Sequence, residues 1–198
     1  MARTVTATIT AVPEVLVKGL SFRNALEGLA ALRGAAAVDA ALARLPDELR
    51  EKLTTGALIS AGWYPVSEYR PLIHAVAGEM GGGPAAARAL SKHNTRRDLS
   101  GIYRLLVFFL SPESIMRKAP LLYGRYRRGG RMIIAKATPG YCESVFEGCH
   151  GFDEVCWAEL IGGSEAALEA AGARDISITI LSGAGDGDAD AHAVARWT

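Results

Sequence analysis

The sequence predicts an α+β domain, with a helical N-terminal two-thirds packed on a small antiparallel sheet of β-β-α-β-β order. Two observations carry this. Apolar residues recur at helical spacing from Phe22 to Leu110. Beyond Gly129-Gly130 the pattern changes to alternation at period two, interrupted by one further helical stretch. A chain of 198 residues can bury its own core without a disulfide or a metal. One domain is expected over 18–198, helical in 18–130 and sheet-forming in 131–198, after an extended segment 1–17.

The elements follow in order. Thr4, Thr6, Thr8 and Thr10 alternate with Val5, Ala7 and Ile9, a strand or tail pattern. From Gly19, the residues Phe22, Leu26, Leu29 and Ala30 mark a helix to about Leu32; after Gly34, Val38, Ala41, Leu42 and Leu45 mark a second. Pro46-Asp47-Glu48 is a helix start, because proline suits the first turn and acids suit the positive dipole end. Gly62-Trp63-Tyr64-Pro65 reads as a corner, and Pro71 either kinks the next helix or marks its first turn. Gly81-Gly82-Gly83-Pro84 is the clearest break, and a long helix to Leu110 follows, apolar all round over 105–110 and so expected to be central. Ser111-Pro112-Glu113 caps another helix. Strands are expected at 131–137 and 141–147 around Pro139-Gly140, a helix at 152–171, and strands at 176–180 and 192–197.

Composition narrows the function classes. With 49% hydrophobic and 22% charged residues the chain is globular rather than disordered. Its longest purely apolar run, Leu105 to Leu110, is far shorter than the roughly 20 residues a membrane span needs. The first 17 residues lack the basic start and long apolar block of a signal peptide, and three cysteines cannot make a paired disulfide framework. Both features predict a reducing, cytoplasmic location. Charge is divided along the chain: residues 1–83 are neutral, 84–136 carry a net +10 and 137–198 a net −9. The two charged segments are expected to meet, within one chain or between two.

No catalytic pattern emerges. G-x-S-x-G and H-E-x-x-H are absent, and His74, His93, His150 and His192 have no partner motif; His93 reads as part of a solvated helix face. Cys142, Cys149 and Cys156 lie seven apart with His150 beside them, whereas structural zinc uses tight C-x₂₋₄-C pairs, so no metal is expected. Asp186, Asp188 and Asp190 begin a calcium loop, but Ala191 and Trp197 stand where it requires glycine and glutamate. The Gly183-x-Gly185-x-Gly187 stretch precedes no helix, so it lacks the dipole that holds a pyrophosphate. The basic block has more content. Arg117, Lys118, Arg125, Arg127, Arg128 and Arg131 interleave with Tyr123, Tyr126, Gly129 and Gly130, a vocabulary of phosphate contact and stacking that Lys92, Arg96, Arg97 and Arg104 could extend. Against nucleic acid stands a pI of about 7.8, where dedicated domains exceed about 9.

Several short motifs recur in a fixed order: Val17-Lys18-Gly19-Leu20 with Phe22, Trp63-Tyr64-Pro65 with Tyr69, and Gly101-Ile102-Tyr103-Arg104 with Ser111-Pro112. Pro120-Leu121-Leu122-Tyr123 with Tyr126 and Gly129, and the terminal Arg196-Trp197, complete the order. From about Val17 onward this resembles an uncharacterised family of myxobacterial proteins. More distantly, the layout is similar to the 4-vinyl reductase small-molecule-binding domain and the haem nitric-oxide-binding domain; Cys156-Trp157, Gly162, Gly172 and Gly185-Asp186 parallel their C-terminal half. The resemblance implies a ligand pocket between helices and sheet, and a dimer. It does not carry zinc, since no cysteine lies between Leu181 and Trp197. Nor does it carry haem: Tyr123-Gly124-Arg125-Tyr126-Arg127 is not the Tyr-x-Ser-x-Arg motif, and His93 is not an axial ligand.

The reading is therefore a non-enzymatic ligand-binding or sensory module without cofactor, taking a small apolar or amphipathic ligand. Its expected pocket residues are Trp63, Tyr64, Tyr103, Leu106, Phe109 and Tyr123. Arg117, Arg125, Arg127, Arg128 and Arg131 form the expected interaction or anion-binding set. The alternatives are an assembly module, a homodimer or a complex with a partner protein, using the opposed charge segments, and nucleic-acid binding through 117–131.

Overall fold

The computed structural model describes residues 13–100 and 110–198, except for the side chain of Ser100. Helices dominate up to Tyr126 and strands dominate after it, around one last helix, so the fold is α+β as its periodicities require. Strand β1 (Leu16–Lys18) leads into α1 (Gly19–Arg33), α2 (Ala35–Ala43) and α3 (Asp47–Thr54). Strand β2 (Trp63–Pro65) precedes α4 (Val66–Gly78), α5 (Gly83–Ser100) and α6 (Pro112–Tyr126). Then come β3 (Arg127–Arg128), β4 (Arg131–Thr138), β5 (Tyr141–Glu147), α7 (Glu154–Ala170), β6 (Ser177–Gly183) and β7 (Ala191–Arg196). The expected pattern over Thr4–Thr10 and the apolar stretch 105–109 lie outside the described residues.

Two antiparallel sheets form. The larger has the order β4-β5-β7-β6, which pairs Met132 with Phe146 and Cys142 with Ala195. Alternation puts Cys142, Ser144 and Phe146 of β5 inward, while the edge strand β6 stays largely exposed. The smaller sheet, β2-β1-β3, corrects the expected corner at Trp63-Tyr64-Pro65: these residues pair with Lys18, Val17 and Leu16. The first turn of α1 is tied to the same region, since Gly19 N–H donates to the Gly62 carbonyl and Leu20 N–H to that of Ser60. A side chain at Gly19 would lie 2.1 Å from the Ile59 carbonyl oxygen, so this approach requires glycine. Pro71 stands inside α4, past the first turn, and Pro65 is the residue before its start.

The core runs through both parts. Phe22 and Leu29 of α1 meet Tyr69, Leu72 and Ile73 of α4, all essentially buried. Phe146, Phe152 and Trp157 join the sheet to α7 through edge-to-face contacts at 5.7 and 4.9 Å. Asp153 caps α7, accepting from the Cys156 N–H at 2.9 Å, and also binds Arg70 at 2.9 Å and His74 at 2.7 Å. The charge division closes within the chain. Arg88, Lys92 and Arg96 on α5 pair with Glu165 and Glu169 on α7, and Arg127 and Arg131 pair with Glu159 and Glu147.

Candidate functional site

Four helices leave a cavity of about 210 Å³ between them, closed on one side by Met132 of β4. Helix α5 contributes Ser91, Asn94, Thr95, Asp98 and Leu99. These stand at i, i+3, i+4, i+7 and i+8, so one helix face presents them all. Helix α6 adds Ile115, Met116, Ala119, Leu122, Tyr123 and Tyr126, a mostly apolar face, and α7 adds Glu159, Leu160, Gly163, Ser164 and Ala167. Ser21 and Asn24 come from α1, and Arg127 from β3. The cavity thus has an apolar body and a polar margin, the usual make-up of a small-molecule site.

The margin is organised by hydrogen bonds. Asn94 Nδ2 donates to the Asn24 carbonyl at 2.9 Å, and Asn24 Nδ2 donates to Asp98 Oδ2 at 3.3 Å. Burial pushes the Asp98 carboxyl above its ordinary range, against the pull of Arg97. Arg127 is itself buried. Its Nη1 donates to Ser21 Oγ and to the Tyr126 carbonyl, both at 3.2 Å, and its Nη2 donates to Glu159 Oε2 at 2.9 Å. The second Glu159 oxygen accepts from Tyr69 at 2.6 Å, linking α4 to α7 and β3. Tyr123 O–H donates to the Gly129 carbonyl at 3.2 Å and lies 3.4 Å from Cys149 Sγ. Burial pushes both the Tyr123 phenol and the Cys149 thiol up, so neither ionises at neutral pH.

Of the expected pocket residues, Tyr123 lines this cavity; Tyr103, Leu106 and Phe109 lie outside the described residues. Trp63 and Tyr64 sit elsewhere. Trp63 is flanked by the Arg128 guanidinium at 4.2 Å and the Lys18 ammonium at 5.4 Å, while Tyr64 packs on Phe22 and accepts from Ile59 N–H. The five arginines make separate contacts. Arg127 is buried in the cavity wall, Arg128 stacks on Trp63, Arg131 pairs with Glu147, Arg117 donates to the Ala137 carbonyl, and Arg125 lies near enough to bear on Asp98. His93, expected on a solvated face, has a buried Nε2 without a hydrogen-bond partner, and it does not line the cavity. The α5 stripe and Glu159 were missed by sequence reasoning, although the stripe's spacing was there to be read.

No family model and no curated protein matches the chain. Solved structures do. An H-NOX protein from K. algicida, in its Fe(II) unliganded form, is 13% identical over 91% of this chain and 96% of its own, with a TM-score of 0.65. An H-NOX protein mutant from S. oneidensis, in the Fe(II) ligation state, aligns over the same shares at 13% identity and a TM-score of 0.66. An oxygen-binding H-NOX domain related to soluble guanylate cyclases gives 0.64 at 13% identity, over 91% of this chain and 95% of its own. This chain has the H-NOX fold. The likeness falls on the haem nitric-oxide-binding side of the two distant resemblances.

Haem, which that fold suggests, does not fit the described lining. No histidine or cysteine lines the cavity among the described residues, and Tyr123 holds its proton against Gly129 and Cys149. Two propionates would meet the carboxyls of Asp98 and Glu159 beside a single arginine already committed to Glu159. The volume of about 210 Å³ also falls below the 300–1,000 Å³ typical of pockets for drug-sized ligands.

Proposed function

We propose that this chain is a non-enzymatic sensory domain that binds a small amphipathic molecule in the cavity between α1, α5, α6 and α7. One observation carries the reading: an apolar space with a polar margin stands inside an H-NOX fold, at the junction of its helices and sheet. The neighbours' names tell of iron and oxygen binding in those proteins; here the lining supports a different, haem-free ligand. Phe22, Tyr69 and Tyr123, the aromatic residues of the ordered sequence motifs, all lie in the core of this scaffold. Among the described residues no helix is long and apolar enough to cross a membrane.

The test is thermal melting of the full chain with a panel of small neutral molecules. A ligand of the folded state raises Tm with concentration, by about 2.7 kcal/mol of stabilisation at one hundred times Kd. The rise is expected in the native chain and absent in Ala119→Phe, whose ring fills the cavity. An identical response in both, or none in either, overturns the reading.

A further inference from the structure

The larger sheet ends on two unlike edges. Strand β4 is guarded, since it packs against α6 and carries Arg131 and Lys136. Charged side chains and a covering helix are what keep an edge strand from pairing with another chain. Strand β6 has neither. Its seven residues, Ser177–Gly183, hold no charge and no proline, and Ile178, Thr179 and Ile180 are β-branched residues that favour a strand. Among the described residues its backbone makes no hydrogen bond outside the ladder to β7, so one row of N–H and C=O groups is left open. The inner side of this edge is apolar: Ile176, just before the strand, Ile178 and Ile180 pack on the core while only half-buried. The two ends carry opposite charge. Arg174, exposed, precedes β6 and pairs its backbone with Thr198, while the neighbouring Asp175 carboxylate accepts from the Thr198 hydroxyl. Asp186, Asp188 and Asp190 follow β6 in the hairpin, exposed and bonded to the backbone N–H groups of Glu154, Gly185 and Gly148 rather than to cations.

We propose that β6 pairs antiparallel with β6 of a second copy of this chain, about a two-fold axis at Ile178, joining the two larger sheets edge to edge. Pairing of identical strands in this sense is closed by symmetry, so each copy satisfies the open edge of the other. The register follows from backbone shape. The ladder to β7 shifts between Ile180 and Ser182, and Asp175 has a left-handed backbone with φ 47°, which leaves 176–180 as the regular stretch. Centring on Ile178 sets Ile176 against Ile180 of the second copy, and Ile178 against its counterpart, all on the inner face. Ser177 then faces Thr179 of the second copy on the outer face. The same direction brings Arg174 of each copy towards the acidic hairpin of the other, so attraction acts at both ends. Those opposed end charges select a second copy over an unrelated extended segment, which would match them only by coincidence.

The test is sedimentation velocity of the full chain across a range of concentrations, with hydrogen exchange at the β6 amides. The native chain is expected to pass from one copy to two as concentration rises, and exchange at Ser177–Ile180 to slow in step. Ser177 and Thr179 are exposed, and a carboxylate at 177 also faces Arg196 of β7, so both positions accept substitution without loss of the core. Ser177→Glu with Thr179→Glu sets like charges opposite each other at two places, and is expected to weaken pairing about tenfold. Ser177→Glu with Thr179→Lys sets opposite charges at the same places, and is expected to pair at least as tightly as the native chain. A native chain that stays monomeric at millimolar concentration overturns the proposal, whether or not its β6 amides are protected. So does a dimer that the double glutamate variant leaves intact, because its interface lies elsewhere. The cavity takes no part in this contact, and its reading stands or falls separately.

Discussion

Glu159 accepts from Tyr69 at 2.6 Å and from Arg127 at 2.9 Å, so one carboxylate joins α4, α7 and β3 beside the cavity. Removing it strands a buried guanidinium. Glu159→Ala is expected to cost about 3–5 kcal/mol in denaturant unfolding, because an uncompensated buried charge is left behind. Arg131→Ala removes an ion pair of similar geometry, but its side chain is 70% exposed, and the expected change is within about 0.5 kcal/mol. Equal losses would show that burial does not separate the two pairs. Sequence reasoning placed Arg127 and Arg131 in one basic block, and could not do otherwise. Density of arginine is visible in a sequence, whereas the identity of the arginine that turns inward depends on Glu159, 32 residues further on.

Helices α5 and α7 approach closely where Gly162 faces the Arg88 backbone; a Cβ there would lie 2.1 Å from the Arg88 carbonyl oxygen. Gly162→Ala should therefore separate the helices and destabilise the chain by about 1–3 kcal/mol. Gly124, inside α6, has nothing within 4 Å of its Cβ position, so Gly124→Ala should instead stabilise by about 0.4–1 kcal/mol. Both are read from urea midpoints, and the same sign for both would contradict the packing described. Elements long enough to show a period were readable before folding: α1, α7 and the pair β4 and β5 fall within a few residues of expectation. The small sheet was not, since strands of two or three residues carry no period and β2 is held by Val17 opposite Tyr64, 47 positions away. The cavity stripe Ser91, Asn94, Thr95, Asp98 and Leu99 had helical spacing, yet a polar stripe reads as a solvated face until the helix opposite it is known.

The opposed charge segments are spent on holding one chain together: basic α5 lies along acidic α7, and Arg127 and Arg131 find their partners in the same acidic segment. With those charges engaged, the cavity is the feature left to explain, and its wall holds two natural reporters. Met116 of α6 and Met132 of β4 both line it, while Met80 lies away from it. The most direct measurement is a methionine-methyl ¹³C NMR titration of the full chain with acetophenone. The Met116 and Met132 methyl signals are expected to shift in saturable fashion while Met80 stays still, and Ala119→Phe should abolish the shifts. Shifts at Met80 alone, or unmoved Met116 and Met132 signals at saturating probe, would contradict the cavity as the ligand site.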